Sequence, residues 1–297
     1  MSNIVPHLWF DTQAVQASEL YLSLFPGSRL ISHTVIKDTP SGDCDFLDIE
    51  LAGQEFMLIS AGPYFTLNPS VSFLVACASK EEVDFFHTTL IEGGSELMPL
   101  QSYDFSERYA WVVDRFGVSW QLMYTFLPVA QKITPTLMFV GENCGKAEEA
   151  VNFYTTVFDG SSVDSVMHYG EDAFPDLPNS AQHIGFTLKG QQFAAMDSAY
   201  EHQFAFNEGI SLFVYTDTQE EIDKYWNALS AVTEAEQCGW LKDKYGLSWQ
   251  ISPRIMNEMM MDENEERLNA VTQCMLQMKK LDMNELKRVY DQFTSAS

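Results

Sequence analysis

Basic residues are scarce. Only 17 lysines and arginines stand against 42 aspartates and glutamates, a formal net charge of −25. A nucleic-acid surface needs clustered Lys and Arg to neutralise phosphates, so that class is set aside, and anionic membrane surfaces with it. No apolar run reaches the length of a membrane span. The N-terminal MSNIVPHLWF has neither a basic n-region nor an apolar h-region, so no signal peptide is expected and the cytoplasm is the expected compartment. Cysteine is sparse as well. Cys44, Cys77, Cys144, Cys238 and Cys274 are odd in number, scattered and without a CxxC pair. Free thiols are expected rather than disulfides or a zinc cluster. P-loop, nucleophile-elbow, HExxH and EF-hand patterns are missing, and Gly185 and Gly190 do not form a dinucleotide fingerprint. No glycine-rich loop of the kind that binds S-adenosylmethionine joins a strand to a helix.

Apolar material is plentiful. The 297 residues are 46% hydrophobic and 13% aromatic, enough for two cores of ordinary size. The chain also repeats itself. AWVVDRFGVSWQLMY (110–124) returns as GWLKDKYGLSWQIS (239–252). Trp111, Asp114, Gly117 and Trp120-Gln121 match Trp240, Asp243, Gly246 and Trp249-Gln250. Upstream, Pro6 matches Pro135, Phe25 matches Phe158, Gly53 matches Gly190 and Ser72 matches Ser211. Similarity of this length is a duplicated module, long enough to hold a core of its own.

Within one copy the patterns predict strands at Val5–Phe10, Arg29–Lys37, Phe46–Leu51 and Glu55–Ser60, with Gly53 turning a hairpin. They predict a helix over Thr12–Leu24 that stops at Pro26-Gly27. A further strand follows at Val71–Ala76, then a helix capped by Ser79 with Glu82 as its capping-box partner. Strands at Tyr109–Val113 and Val118–Tyr124 close the copy around a turn at Asp114–Gly117. The class is α+β, each module holding two β-α-β-β-β units. Boundaries fall at 1–127, 132–254 and 255–297. The last segment reads as Met-rich helices over Arg254–Lys280 and Met283–Phe293, the second capped by Asp282. Packing on a sheet or a neighbouring module is the expected use of its apolar stripe.

PHLWF, YLSLFPGS, GQEFMLIS, SFLVACASKEEVD and VVDRFGVSWQLM resemble the PhnB-like branch of the glyoxalase/bleomycin-resistance (vicinal oxygen chelate) superfamily, often labelled 3-demethylubiquinone-9 3-methyltransferase-like. The second copy resembles it equally, and so does the tail. The resemblance implies that each module pairs its two units into a curved eight-stranded sheet around a cavity. It also implies module pairing inside the chain, with a homodimer as a further assembly.

Metal-dependent relatives carry His, Glu, His and Glu ligands on cavity-facing strands. In the first copy the resemblance places His7 near the first ligand position, Asp48 or Glu50 at the second, Ser72 at the third and Gln121 at the fourth. In the second copy Thr136 matches His7, His183 lies on the third strand, and Ser211 and Gln250 match Ser72 and Gln121. Neutral hydroxyls and amides bind dications poorly, so no metal and no other cofactor is expected. Strand alternation puts Ser119 and Gln121 on one face and Trp120 on the other, under a helix. His7 and Trp9 share a face. Trp111 and Trp240 line a cavity or fill the core. Tyr103, Phe105 and Tyr109 in one copy, and Tyr169, Phe174, Phe204 and Phe206 in the other, add aromatic bulk near the cavity mouths. Such a pocket suits a small aromatic or amphipathic molecule, bound without a metal and without chemistry. The alternative is a metal-dependent lyase, isomerase or dioxygenase, or acid–base chemistry by His7 with Asp48 or Glu50.

Overall fold

A computed structural model describes residues 3–292 apart from 40, 261 and 263. The first repeat runs β1 (Ile4–Phe10), α1 (Ala14–Leu24), β2 (Arg29–Thr39), β3 (Gly42–Leu51), β4 (Gln54–Ser60), then β5 (Val71–Cys77), α2 (Lys80–Leu90), β6 (Ser95–Tyr103), β7 (Ser106–Val113) and β8 (Ser119–Tyr124). The second runs β9 (Ile133–Val140), α3 (Ala147–Val157), β10 (Ser162–His168), β11 (Ala181–Leu188), β12 (Gln191–Ser198), then β13 (Ile210–Thr216), α4 (Gln219–Leu229), β14 (Trp240–Lys242) and β15 (Ser248–Pro253). The tail holds α5 (Ile255–Met260), α6 (Glu265–Leu276) and α7 (Met283–Gln292). One expected helix over Arg254–Lys280 is thus two, and Phe293, the expected end of the last, lies outside the described residues. Among the described residues no helix is long and apolar enough to cross a membrane.

Local chemistry accounts for the element ends. At α2, Ser79 Oγ accepts the Glu82 N–H at 3.1 Å while the Glu82 carboxylate accepts the Ala78 N–H at 2.6 Å. Thr218 and Glu221 repeat the device at α4. In each case one orphan donor of the first helical turn and the N–H just before the N-cap are satisfied. The β3–β4 hairpin turns at Ala52 and Gly53, both at positive φ (48° and 86°). A two-residue turn with that twist needs both centres left-handed, which Gly supplies without strain.

The strands do not pair as the resemblance implied. The seven-stranded sheet has the order β14-β15-β13-β1-β4-β3-β2, and the eight-stranded sheet β10-β11-β12-β9-β5-β8-β7-β6. Each sheet therefore takes one β-α-β-β-β unit from each repeat. β1 runs antiparallel to β13, with His7 opposite Ser211, and β5 runs antiparallel to β9, with Ser72 opposite Thr136. The exchange leaves no edge at β1 or β5, where unpaired backbone groups would otherwise face solvent.

The contacts at the seam are reciprocal, as an internal two-fold requires. Asn68 Nδ2 donates to the Ala205 carbonyl at 3.1 Å, and its counterpart Asn207 donates to the Thr66 carbonyl at 2.8 Å. Gln191 Nε2 donates to Oε1 of Gln54, its own counterpart, at 3.1 Å. One hydrophobic core runs through both repeats, with Trp120, Trp249, Tyr21 and Tyr154 among its largest fully buried side chains. Each large apolar side chain so buried contributes about 1.5–3 kcal/mol.

Among the described residues the symmetry fails at the loop between β10 and β11, longer than its counterpart, and in the fourth unit. The fourth unit has no counterpart of β6; a 3-10 turn, Thr233–Ala235, stands there instead. The tail lies against this gap. The N–H groups of Cys238 and Gly239 donate to the carbonyls of Met278 and Lys279, both at 2.8 Å. The tail helices share a small core of their own, formed by Met256, Met259, Val271, Leu281 and Leu286.

Candidate functional site

The seven-stranded sheet curves around a cavity of about 200 Å3. Its floor alternates along the strands, as a half-buried sheet dictates. β1 supplies His7 and Trp9, β3 supplies Phe46 and Asp48, and β4 supplies Met57 and Ile59. The second repeat supplies Phe213, Trp240 and Gln250. Ser32 and Thr34 on β2 form one side, and Met256, Asn257 and Met275 of the tail form the roof. The aromatic rings meet edge to face: Trp240 lies 5.5 Å from the His7 ring at 89° and 6.3 Å from Trp9 at 74°.

His7 is almost wholly buried, and among the described residues its Nδ1 has no hydrogen-bond partner. Burial pushes its pKa down to about 3, only partly offset by a backbone hydrogen bond, so the ring is neutral at pH 7. Burial raises the Asp48 pKa, opposed by the Ser32 hydroxyl that donates to it at 2.6 Å. Gln250 Nε2 donates to Ser211 Oγ at 2.9 Å beside His7. Glu50, two residues beyond Asp48, lies outside the cavity and pairs with Arg29 at 2.9 Å.

The eight-stranded sheet carries a different hollow, of about 570 Å3. By strand register, Thr136 of this sheet stands in the place of His7, and Gly185 in the place of Asp48, though neither lines the hollow. Gln121 is closed into a buried chain: it accepts from the Tyr109 hydroxyl at 2.8 Å and donates to Ser72 Oγ at 2.8 Å. Trp111 does both things expected of it, lining this hollow and packing with Tyr109 and Met138, while its Nε1 donates to Ser119 Oγ. Tyr169 and Phe204 also line it. His183 sits on β11 opposite Met167, away from the lining, its pKa lowered by burial.

The eleven residues singled out in the sequence therefore divide between two sheets. His7, Trp9, Asp48, Trp240 and Gln250 meet in the first cavity with Ser211 behind them. Trp111 lines the second hollow; Ser72 and Gln121 lie buried in the eight-stranded sheet, bonded to each other and outside that lining; Glu50 and His183 line neither. Cys238, Met256 and Asn257 went unpredicted, because they reach the cavity from the tail and from the gap it fills. The only sequence signal for them was the Met-rich composition.

The repeated Trp has a structural role. Trp120 Nε1 donates to Asp114 Oδ2 at 2.9 Å, and the Tyr21 hydroxyl of α1 donates to the same oxygen at 2.7 Å. Asp114 Oδ1 takes the N–H groups of Phe116 and Val118. Asp243, Trp249, Tyr154, Tyr245 and Leu247 copy the arrangement. The motif thus locks the last hairpin of each repeat onto the first helix of the same repeat.

Comparison with known proteins agrees with this architecture. A family model described as 3-demethylubiquinone-9 3-methyltransferase matches residues 2–123 and again 131–252. The chain belongs to this PhnB-like family. A PhnB protein from Bacillus cereus is 35% identical over 42% of this chain and 100% of its own, with a TM-score of 0.39. A Pseudomonas aeruginosa protein is 24% identical over 42% and 98%, with a TM-score of 0.38. Glyoxalase I from Zea mays, 10% identical over 88% and 98% with a TM-score of 0.56, shares the two-module fold. No curated protein matches the chain.

Metal-dependent vicinal oxygen chelate proteins raise the question of whether the PhnB-like cavities fit a dication. The residues present do not. Among the described residues no three of His, Cys, Asp and Glu converge. In the first cavity the two positions supplied by the second repeat hold Ser211 and Gln250, bonded to each other. In the eight-stranded sheet the equivalent first two positions hold Thr136 and Gly185, which offer a hydroxyl and nothing. Nitrogen and carboxylate donors in sets of three or four are what such sites need.

Proposed function

We propose that this PhnB-like chain binds a small aromatic or amphipathic molecule in the cavity of the seven-stranded sheet, without a metal. The observation that carries this is the cavity itself: an apolar, aromatic-walled space lined by both repeats and the tail, with a buried His7 nitrogen that has no partner among the described residues. A buried polar atom without a partner costs about 1–3 kcal/mol, which a bound ligand or water offsets. A void of about 150 Å3 already admits benzene, so about 200 Å3 suits one substituted ring. Asp48, Gln250 and Asn257 give such a ring a polar edge to orient against. Methyl transfer has no part in this reading, because no glycine-rich strand-to-helix turn offers a cofactor a seat.

The test is a thermal-shift screen of neutral aromatic compounds on chelator-treated protein. A ligand at a hundred times its Kd stabilises by about 2.7 kcal/mol, roughly 5 °C in Tm for a chain of this size. The expected hit is saturable, is recovered unmodified, and disappears in Thr34→Trp, which fills the cavity from β2. A stoichiometric dication whose removal abolishes a glyoxalase-type reaction would refute the proposal.

A further inference from the structure

The hollow of the eight-stranded sheet has its own chemistry, and it shares no lining residue with the first cavity. It lies between the first repeat's β6–β7 hairpin and two loops of the second repeat, those that follow β10 and β12. Its floor is Trp111, Met98, Met138 and Met196, and its walls carry Tyr169, Tyr200 and Phe204. Tyr200 is 56% exposed and so stands at the mouth.

One charged group is buried in this wall. Asp176 is 9% exposed, and its Oδ1 accepts the Ala199 N–H at 2.8 Å. Burial, helped by the Asp176 charge, holds the pKa of the nearby Tyr169 hydroxyl, which donates to the Asp197 carbonyl at 3.4 Å, above the usual range. Glu201 adds a second carboxylate on the exposed rim. Among the described residues, no lysine or arginine lines the hollow or pairs with either carboxylate. His202 does not fill that role. Burial lowers its pKa, partly offset by Asp176, and its Nε2 is engaged with Ser198 Oγ at 2.8 Å.

A buried carboxylate without a cation is costly, and a cation brought to it offsets that cost. Ring faces attract the same charge through their quadrupole, and thioethers give it a polarisable floor. We propose that this hollow is a second binding site, specific for an organic cation: an ammonium group carried on an aromatic or alkyl body. The ammonium sits against Asp176 and the rings, and the body lies on the methionines. The net charge of −25 favours the encounter from a distance.

The probe is benzyltrimethylammonium, titrated calorimetrically into the full-length protein, with neopentylbenzene as its neutral isostere. The cation is expected to bind at least about tenfold tighter than the isostere, and less tightly as salt is raised. Asp176→Asn keeps an acceptor for the Ala199 N–H but removes the charge. It is expected to weaken the cation about tenfold and leave the isostere unchanged. Tyr200→Ala, at the exposed mouth, leaves the buried carboxylate in place and is expected to weaken the cation roughly threefold. Thr34→Trp, in the other cavity, is expected to leave the cation's binding unchanged. The proposal is overturned if the cation does not bind saturably, if cation and isostere bind alike, if neither Asp176→Asn nor Tyr200→Ala weakens the cation, or if Thr34→Trp abolishes its binding.

Discussion

At the scale of the residue, Asp114 and Asp243 tie the last hairpin of each repeat to its first helix. Each carboxylate accepts four hydrogen bonds in a site that burial would otherwise make hostile to charge. Asp114→Ala strands the Trp120 and Tyr21 donors and two backbone N–H groups, and is expected to cost about 3–5 kcal/mol in urea unfolding. Tyr21→Phe removes one donor and is expected to cost about 1 kcal/mol. The sequence showed that Trp120 faces away from Gln121. It did not show why Asp accompanies it, because the second donor, Tyr21, lies 93 residues away.

His7 makes a pH-dependent contribution. Its pKa is about 3 in the fold and 6.5 when exposed, so the unfolded chain binds the extra proton in between. Its contribution to stability is therefore complete above pH 6.5 and is lost as the pH falls toward 3. Between pH 7.5 and pH 5 the expected loss is about 2 kcal/mol. His7→Gln should flatten that part of the urea-midpoint profile, and an unchanged slope would show that the ring is not held neutral.

At the scale of the element, periodicity and capping residues located the helices and most strands. β6 escaped because Pro99 interrupts an exposed, weakly alternating run. The tail's role also escaped, since an apolar helical stripe says that something is covered and not what. Leu281 shows what is at stake. It is 1% exposed, belongs to the tail core, lines the first cavity and packs beside Gly239, whose φ of +87° and close approach to the Ile251 carbonyl leave no room for a side chain. Leu281→Ala is expected to cost about 2–4 kcal/mol and to speed amide hydrogen exchange in α5 and α6 while sparing β1 and β13. Uniformly faster exchange would mean that the tail and the sheets form one cooperative unit.

At the scale of the whole molecule, duplication was plain in the sequence, but the exchange of units between sheets was not. The two units of each repeat follow one another in the chain, and their hydrophobic patterns are the same whether they pair within a repeat or across it. Only the long-range register, His7 against Ser211 and Ser72 against Thr136, distinguishes the two. The candidate site inherits the same difficulty, because its residues come from opposite ends of the chain. Repeats produced as separate chains, 1–127 and 132–297, should therefore associate one to one in sedimentation and regain ligand binding only when mixed. Binding by either chain as a monomer would place the cavity within one repeat.

The most direct test of the central claim is a crystal structure of chelator-treated protein with the tightest neutral aromatic ligand from the screen. The expected result is one ligand between His7, Trp9 and Trp240, under Met256 and Met275, with no dication beside it. A metal held by His7 and Asp48, or that neutral ligand bound elsewhere with this cavity left empty, would contradict it.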